Sequence, residues 1–195
     1  MTTAKTKKCA FAPKNCERGL SHDWRDYGIM CRMISVITIA RYISRRYLLE
    51  KQADIDEMKL HKLLYLAQRE SLVQHDTPLF AEGIYAYQYG PVVKEVRSAL
   101  KRGTALGHLK TDTIPDDAKS VVDVVFDTYS DKNSWSLSRL THAEYSWCHA
   151  RRASNSGGGE RLMPVDDIRR DAVRIRARRT MRLSMLGGNG RCKKP

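Results

Sequence analysis

From residue 33 the chain falls into a helical rhythm. Met33, Val36, Ile39, Ala40, Ile43 and Tyr47 recur at three- and four-residue intervals, and Arg41, Arg45 and Arg46 fall on other faces, which predicts one amphipathic helix. Residues 53–55 interrupt it. Asp56 and Glu57 then put negative charge where a helix N-terminus favours it, and Leu60, Leu63, Leu64, Ala67 and Ser71 share one face of a second helix. The period changes in HDTPLFAEGIYAYQYGP, where Ile84, Tyr85, Tyr87 and Tyr89 alternate among Pro and Gly; this predicts a turn with a short extended segment or small strand pair near residues 83–89.

Pro91 is expected at the first position of a third helix, VVKEVRSALKRG, with Gly103 as its stop. A polar loop over 103–114 follows. Pro115, Asp116 and Asp117 open a fourth helix, in which Ala118, Val121, Val122, Val125 and Tyr129 share a face. Thr141 and Glu144 have capping-box spacing, so each side chain is expected to satisfy a free backbone N–H ahead of a fifth helix over 145–152. Past SNSGGGE, a flexible break over 153–160, Ile168, Ala172 and Ile175 mark a last helix crowded with arginine, and GGNGRCKKP is expected to be disordered. The sum is a mainly α fold: a compact bundle of about five to six helices over 33–152, an irregular basic extension over 1–32, and an Arg-rich helix with a tail over 161–195. Met33 is expected to be the natural start, which the terminal mass of protein made from its own gene would check.

A chain of 195 residues with 42% apolar and 29% charged residues suits one soluble domain with extensions. The richest apolar stretch, residues 33–49, is broken by three arginines and is too short to cross a bilayer. The first fifteen residues lack the apolar stretch of a secretory signal, so a cytoplasmic location is expected. Cys9, Cys16, Cys31, Cys148 and Cys192 are an odd, scattered set without CxxC, in keeping with free thiols.

The net charge of +13 reads as a nucleic-acid signal until it is divided along the chain. Residues 1–32 hold seven Lys/Arg against three Asp/Glu, residues 161–195 eleven against three, and residues 33–160 seventeen against sixteen. Basicity belongs to the two ends and not to the central domain.

Three blocks carry information beyond periodicity: MKLHKLLYLAQ (58–68), AYQYGPVVKEV (86–96) and LSRLTHAEYSW (137–147). The first sets His61, Tyr65 and Gln68 in a stripe beside its apolar face, a polar flank on a core helix. The second gathers Tyr87, Tyr89, Gly90 and Pro91, and tyrosines there either anchor a partner or roof the core. In the third, an acid and base pair of His142 and Glu144 has no nucleophile beside it, and Glu144 is expected to cap a helix. The six histidines (His22, His61, His75, His108, His142, His149) show no metal-ligand spacing, and no phosphate loop occurs. No catalytic group, metal or cofactor is therefore expected.

Taken in order, KLHKLLYLAQ, PLFAEGIYAYQYGPVV and LSRLTHAEYSW resemble the Panacea domain, the SocA-like antitoxin family that includes phage-associated GepA-like proteins. The likeness runs over about residues 33–152. Two positions depart from it: the family favours Gln where this chain has His61 and Tyr where it has Leu66. The resemblance implies a mostly helical antitoxin of a toxin-antitoxin system, which neutralises a cognate protein toxin from a neighbouring gene by direct binding. In the SocA branch it implies an adaptor that hands the toxin to a protease, so a protease is an alternative partner. Tyr65, Tyr85, Tyr87, Tyr89, His142 and Trp147 are the candidate partner-binding or domain-defining residues. A regulator that binds nucleic acid through the basic termini is a further alternative, although no helix-turn-helix is evident. For the Arg-rich tail three readings stay open: a solvated extension, an arm that neutralises nucleic-acid phosphates, and a segment that folds onto an acidic toxin surface.

Overall fold

The computed structural model describes residues 33–109, 113–153 and 160–187; the basic extension over 1–32, residues 154–159 of the expected break, the middle of the polar loop and the tail from 188 lie outside the described residues. The described chain forms seven α-helices and a small three-stranded antiparallel sheet, so the mainly α expectation holds. Helix α1 (Val36–Lys51) starts where the Ser35 hydroxyl accepts from the Ile37 N–H, and it ends at Gln52 in the left-handed region. The Asp56 carboxylate accepts from the Lys59 N–H and opens α2 (Glu57–Gln74).

Helix α2 is the axis of the domain. It packs against α1, α4 (Asp116–Tyr129), α5 (Ser134–His142), α7 (Val165–Gly187) and the second strand, and every residue from Lys59 to Val73 is buried. The sequence predicts one apolar face with a polar flank, whereas neighbours cover this helix on all sides. Burying its polar side chains without partners would cost on the order of 1–3 kcal/mol each, and most of them are bonded internally, His61 Nε2 and Arg69 Nε being exceptions. Lys59 Nζ donates to Tyr47 Oη and the Ser130 carbonyl; Gln68 clamps Leu79 and Phe80 through two backbone N–H groups and a carbonyl; Arg69 pairs with Glu144 and donates to Tyr129 Oη.

The predicted strand pair is a hairpin of β1 (Ile84–Tyr87) and β2 (Gly90–Val93) joined by Gln88 and Tyr89, and β1 alternates Ile84 and Ala86 inward with Tyr85 and Tyr87 outward. Pro91 lies within β2 opposite Ala86 and not at a helix start; β2 is an edge strand, where a residue without an N–H is tolerated. Helix α3 (Lys94–Lys101) therefore begins three residues later. A short strand absent from the sequence reading, β3 (Arg161–Leu162), pairs with the other edge of β1.

Two further elements differ from expectation. Helix α5 is a separate helix, opened by the Asn133 side chain accepting from the Ser136 N–H. The capping box ahead of α6 (Tyr145–Arg152) does not form: the Thr141 hydroxyl donates to the Ser138 carbonyl and Glu144 pairs with Arg69. The orphan N–H groups of Tyr145 and Ser146 are taken instead by the carboxylate of Asp171 on α7, at 2.8 and 2.9 Å. Distant residues can cap a helix as well as local ones, since only an acceptor in the right place is required.

Helix α7 is accordingly part of the domain over its first half. Met163, Ile168 and Ala172 join the core cluster, as do Val36, Ile39, Ala40 and Ile43 of α1. Arg176 donates to the carbonyls of Leu72 and Val73 at the end of α2, and Arg179 holds the buried Glu70 with two hydrogen bonds. Past Arg179 no side chain hydrogen-bonds to the rest of the domain among the described residues, and residues 180–185 are exposed, as the solvated-extension reading expects. Among the described residues no helix is long and apolar enough to cross a membrane.

Candidate functional site

The hairpin turn, α5 and α6 meet to form one aromatic face. The turn needs Gly90: its φ of +105° disfavours a side chain, and an added Cβ would stand 2.7 Å from Lys62 Cε and 2.9 Å from Thr141 Oγ1. This close approach seats the turn on α2 and α5. Ser138 on α5 donates to the Tyr89 carbonyl at 3.0 Å, and Trp147 on α6 donates its indole N–H to the Tyr87 carbonyl at 3.1 Å. Both ends of the turn are thus pinned by hydrogen bonds.

On α5, Trp135, Ser138 and His142 follow at helical spacing and line up along the turn. Trp135 meets Tyr89 edge to face at 5.8 Å, and His142 stacks on Trp147 at 4.0 Å. Tyr89 is 53% exposed and Trp135 64%, while His142 and Trp147 are half-buried. Beneath them Lys62 is buried, with its amine 3.4 Å from the Pro91 carbonyl, and burial brings it from the ordinary 10.5 down to about 8. Burial, then Lys62 and Arg151, also lower His142 from the ordinary 6.5, which favours the neutral form of the ring.

The six candidates divide. Tyr89, His142 and Trp147 come together on the face. Tyr85 and Tyr87 lie on the outer side of the sheet under cations, with Lys94 Nζ 3.8 Å from the Tyr85 ring centre and Arg97 4.9 Å from that of Tyr87. Tyr65 is removed from partner contact: it is fully buried on α2 and its hydroxyl bonds Ser146 Oγ at 3.0 Å, so its role is within the core. Trp135 was missed in the sequence. Its signal was the spacing of Trp135, Ser138 and His142, which shows only once α5 is recognised as a helix.

Ser138 Oγ also lies 3.5 Å from His142 Nε2, but its hydroxyl donates to the Tyr89 carbonyl at 3.0 Å. Among the described residues no group of three His, Cys, Asp or Glu side chains stands ready to hold a metal ion. What the face offers is rigid aromatic area with hydrogen-bonding edges.

Residues 60–148, running from α2 into α6 and including the whole aromatic face, match the family model described as antitoxin SocA-like, Panacea domain. The matched segment, similar to that family, spans 89 of the chain's 195 residues. The match lies inside the 33–152 span of the likeness seen in the sequence. No curated protein and no solved structure matches the chain. The matched segment leaves out α1, β3 and α7, yet α1 and α7 supply part of its core and Asp171 of α7 caps the helix that carries Trp147.

Proposed function

We propose that this chain is an antitoxin that neutralises a protein toxin by binding it, without catalysis, through the face formed by Tyr89, Trp135, His142 and Trp147. The observation that carries this reading is the exposed Tyr89–Trp135 pair on a pinned turn and helix of a domain similar to an antitoxin family. Large aromatic side chains lose little conformational freedom on contact and bury much apolar area, which is why they dominate binding hot spots. Held in place before the partner arrives, they reduce the ordering cost of association.

The test is co-expression with the product of the neighbouring gene. That product alone should arrest growth and this chain should restore it, whereas Tyr89→Ala with Trp135→Ala should abolish the rescue at equal protein level. Growth arrest that the intact chain does not relieve sinks the proposal.

A further inference from the structure

The arginines of α7 fall into two sets with different tasks. Residues 172–187 carry five arginines and no carboxylate. Two of the five, Arg176 and Arg179, stay exposed but fasten the helix to α2 by donating to the Leu72 and Val73 carbonyls and to Glu70. The other three, Arg174, Arg178 and Arg182, recur every fourth residue and are exposed. With about 1.5 Å of rise per residue they form a row whose members stand roughly 6 Å apart along the axis. Arg174 lies over the Tyr145 ring at 5.4 Å. Arg178 and Arg182 have no ion-pair partner among the described residues, in contrast to Arg46, Arg69, Arg169 and Arg179.

We propose that this row is a nucleic-acid interface that neutralises backbone phosphates of a DNA duplex without reading its sequence, on a surface separate from the aromatic face. An evenly spaced row of uncompensated guanidinium groups on an anchored rod fits a polymeric anion with repeating charge, and arginine forks suit phosphate oxygens. A lipid surface fits less well. A helix lying in a bilayer interface needs an apolar side free of charge. Here Arg174 projects between the exposed Met181 and Met185 at 100° per residue, and Leu183 points to another side.

The test uses the full chain, a labelled mixed-sequence DNA duplex and fluorescence anisotropy over a range of salt. R174Q/R178Q/R182Q is compared with K5Q/K7Q/K8Q, which removes equal charge from the N-terminal extension, and circular dichroism confirms the fold of each. R178Q/R182Q, which removes no hydrogen bond, ion pair or ring contact among the described residues, guards against a folding effect of losing Arg174. The intact chain should bind two unrelated duplexes equally. The α7 triple should weaken binding at least ~10-fold and flatten the slope of log K against log salt by roughly two to three, since each neutralised phosphate contributes about 0.9. The R178Q/R182Q double should give an intermediate loss, and the terminal triple should cost less than ~3-fold. Equal losses from the two triples, no retention of DNA at low salt, or tighter binding to phosphatidylserine vesicles than to DNA would overturn the proposal.

Discussion

At His61 an imidazole 2% exposed accepts the Val93 N–H at 3.3 Å, while its other nitrogen makes no hydrogen bond and the Glu57 carboxylate stands 3.6 Å away. Burial, followed by the charges of Lys62 and Arg97, holds its pKa at about 3 against the ordinary 6.5. Between those values the unfolded chain binds a proton that the folded chain refuses, so stability rises with pH across this window and is lost as pH falls below about 6.5. Lowering pH from 7.5 to 5 should cost the native protein about 2 kcal/mol through this group alone. His61→Gln should remove that component, so denaturant melts of the two proteins should converge or cross on acidification. Parallel melts at both pH values would contradict the assignment. At Gly90 the expectation is steric: Gly90→Ala forces a side chain into Lys62 and Thr141 at positive φ and should lower stability by roughly 1–3 kcal/mol in chemical unfolding.

Among the elements, α1, α2, α4 and the hairpin were legible because their local period or alternation survives in the fold. Helix α5 was not. Its buried positions include Ser138 and Thr141 beside Leu137, so SWSLSRLTH shows no apolar stripe, and its burial is satisfied by the Tyr89 carbonyl and by bonds within its own turn. The all-round burial of α2 was hidden for a similar reason: its polar side chains find partners on Tyr129, Glu144, Pro91 and Arg179, whose proximity only the folded chain creates. The cap of α6 is the sharpest case, since Asp171 lies 25 and 26 residues beyond the groups it satisfies. Asp171→Ala leaves two N–H groups without their acceptor and should cost about 2 kcal/mol. Near-UV circular dichroism should change with it, because Trp147 occupies the first turn of the same helix; Asp171→Asn, which keeps an acceptor, should recover part of both losses.

For the whole molecule, the segment matched by the family model shares its core with α1 and α7. A cut after Glu160 removes Met163, Ile168, Ala172, the Asp171 cap and the Arg179 partner of Glu70. Burial of each large apolar side chain contributes roughly 1.5–3 kcal/mol, so the sum approaches the whole stability of a domain. The truncated protein should lose its cooperative thermal transition, whereas a cut after Thr180 should retain it. The division of charge read from the sequence has a structural counterpart in α7, whose inner arginines serve the fold and whose outer row faces solvent. The aromatic face lies elsewhere, and the proposal that it binds a toxin can be measured directly as the dissociation constant of the purified chain with the product of the neighbouring gene. Tyr89→Ala with Trp135→Ala should weaken that complex by at least ~30-fold, equivalent to about 2 kcal/mol, with an unchanged thermal midpoint. A folded double variant that binds the toxin as tightly as the native chain would contradict the account.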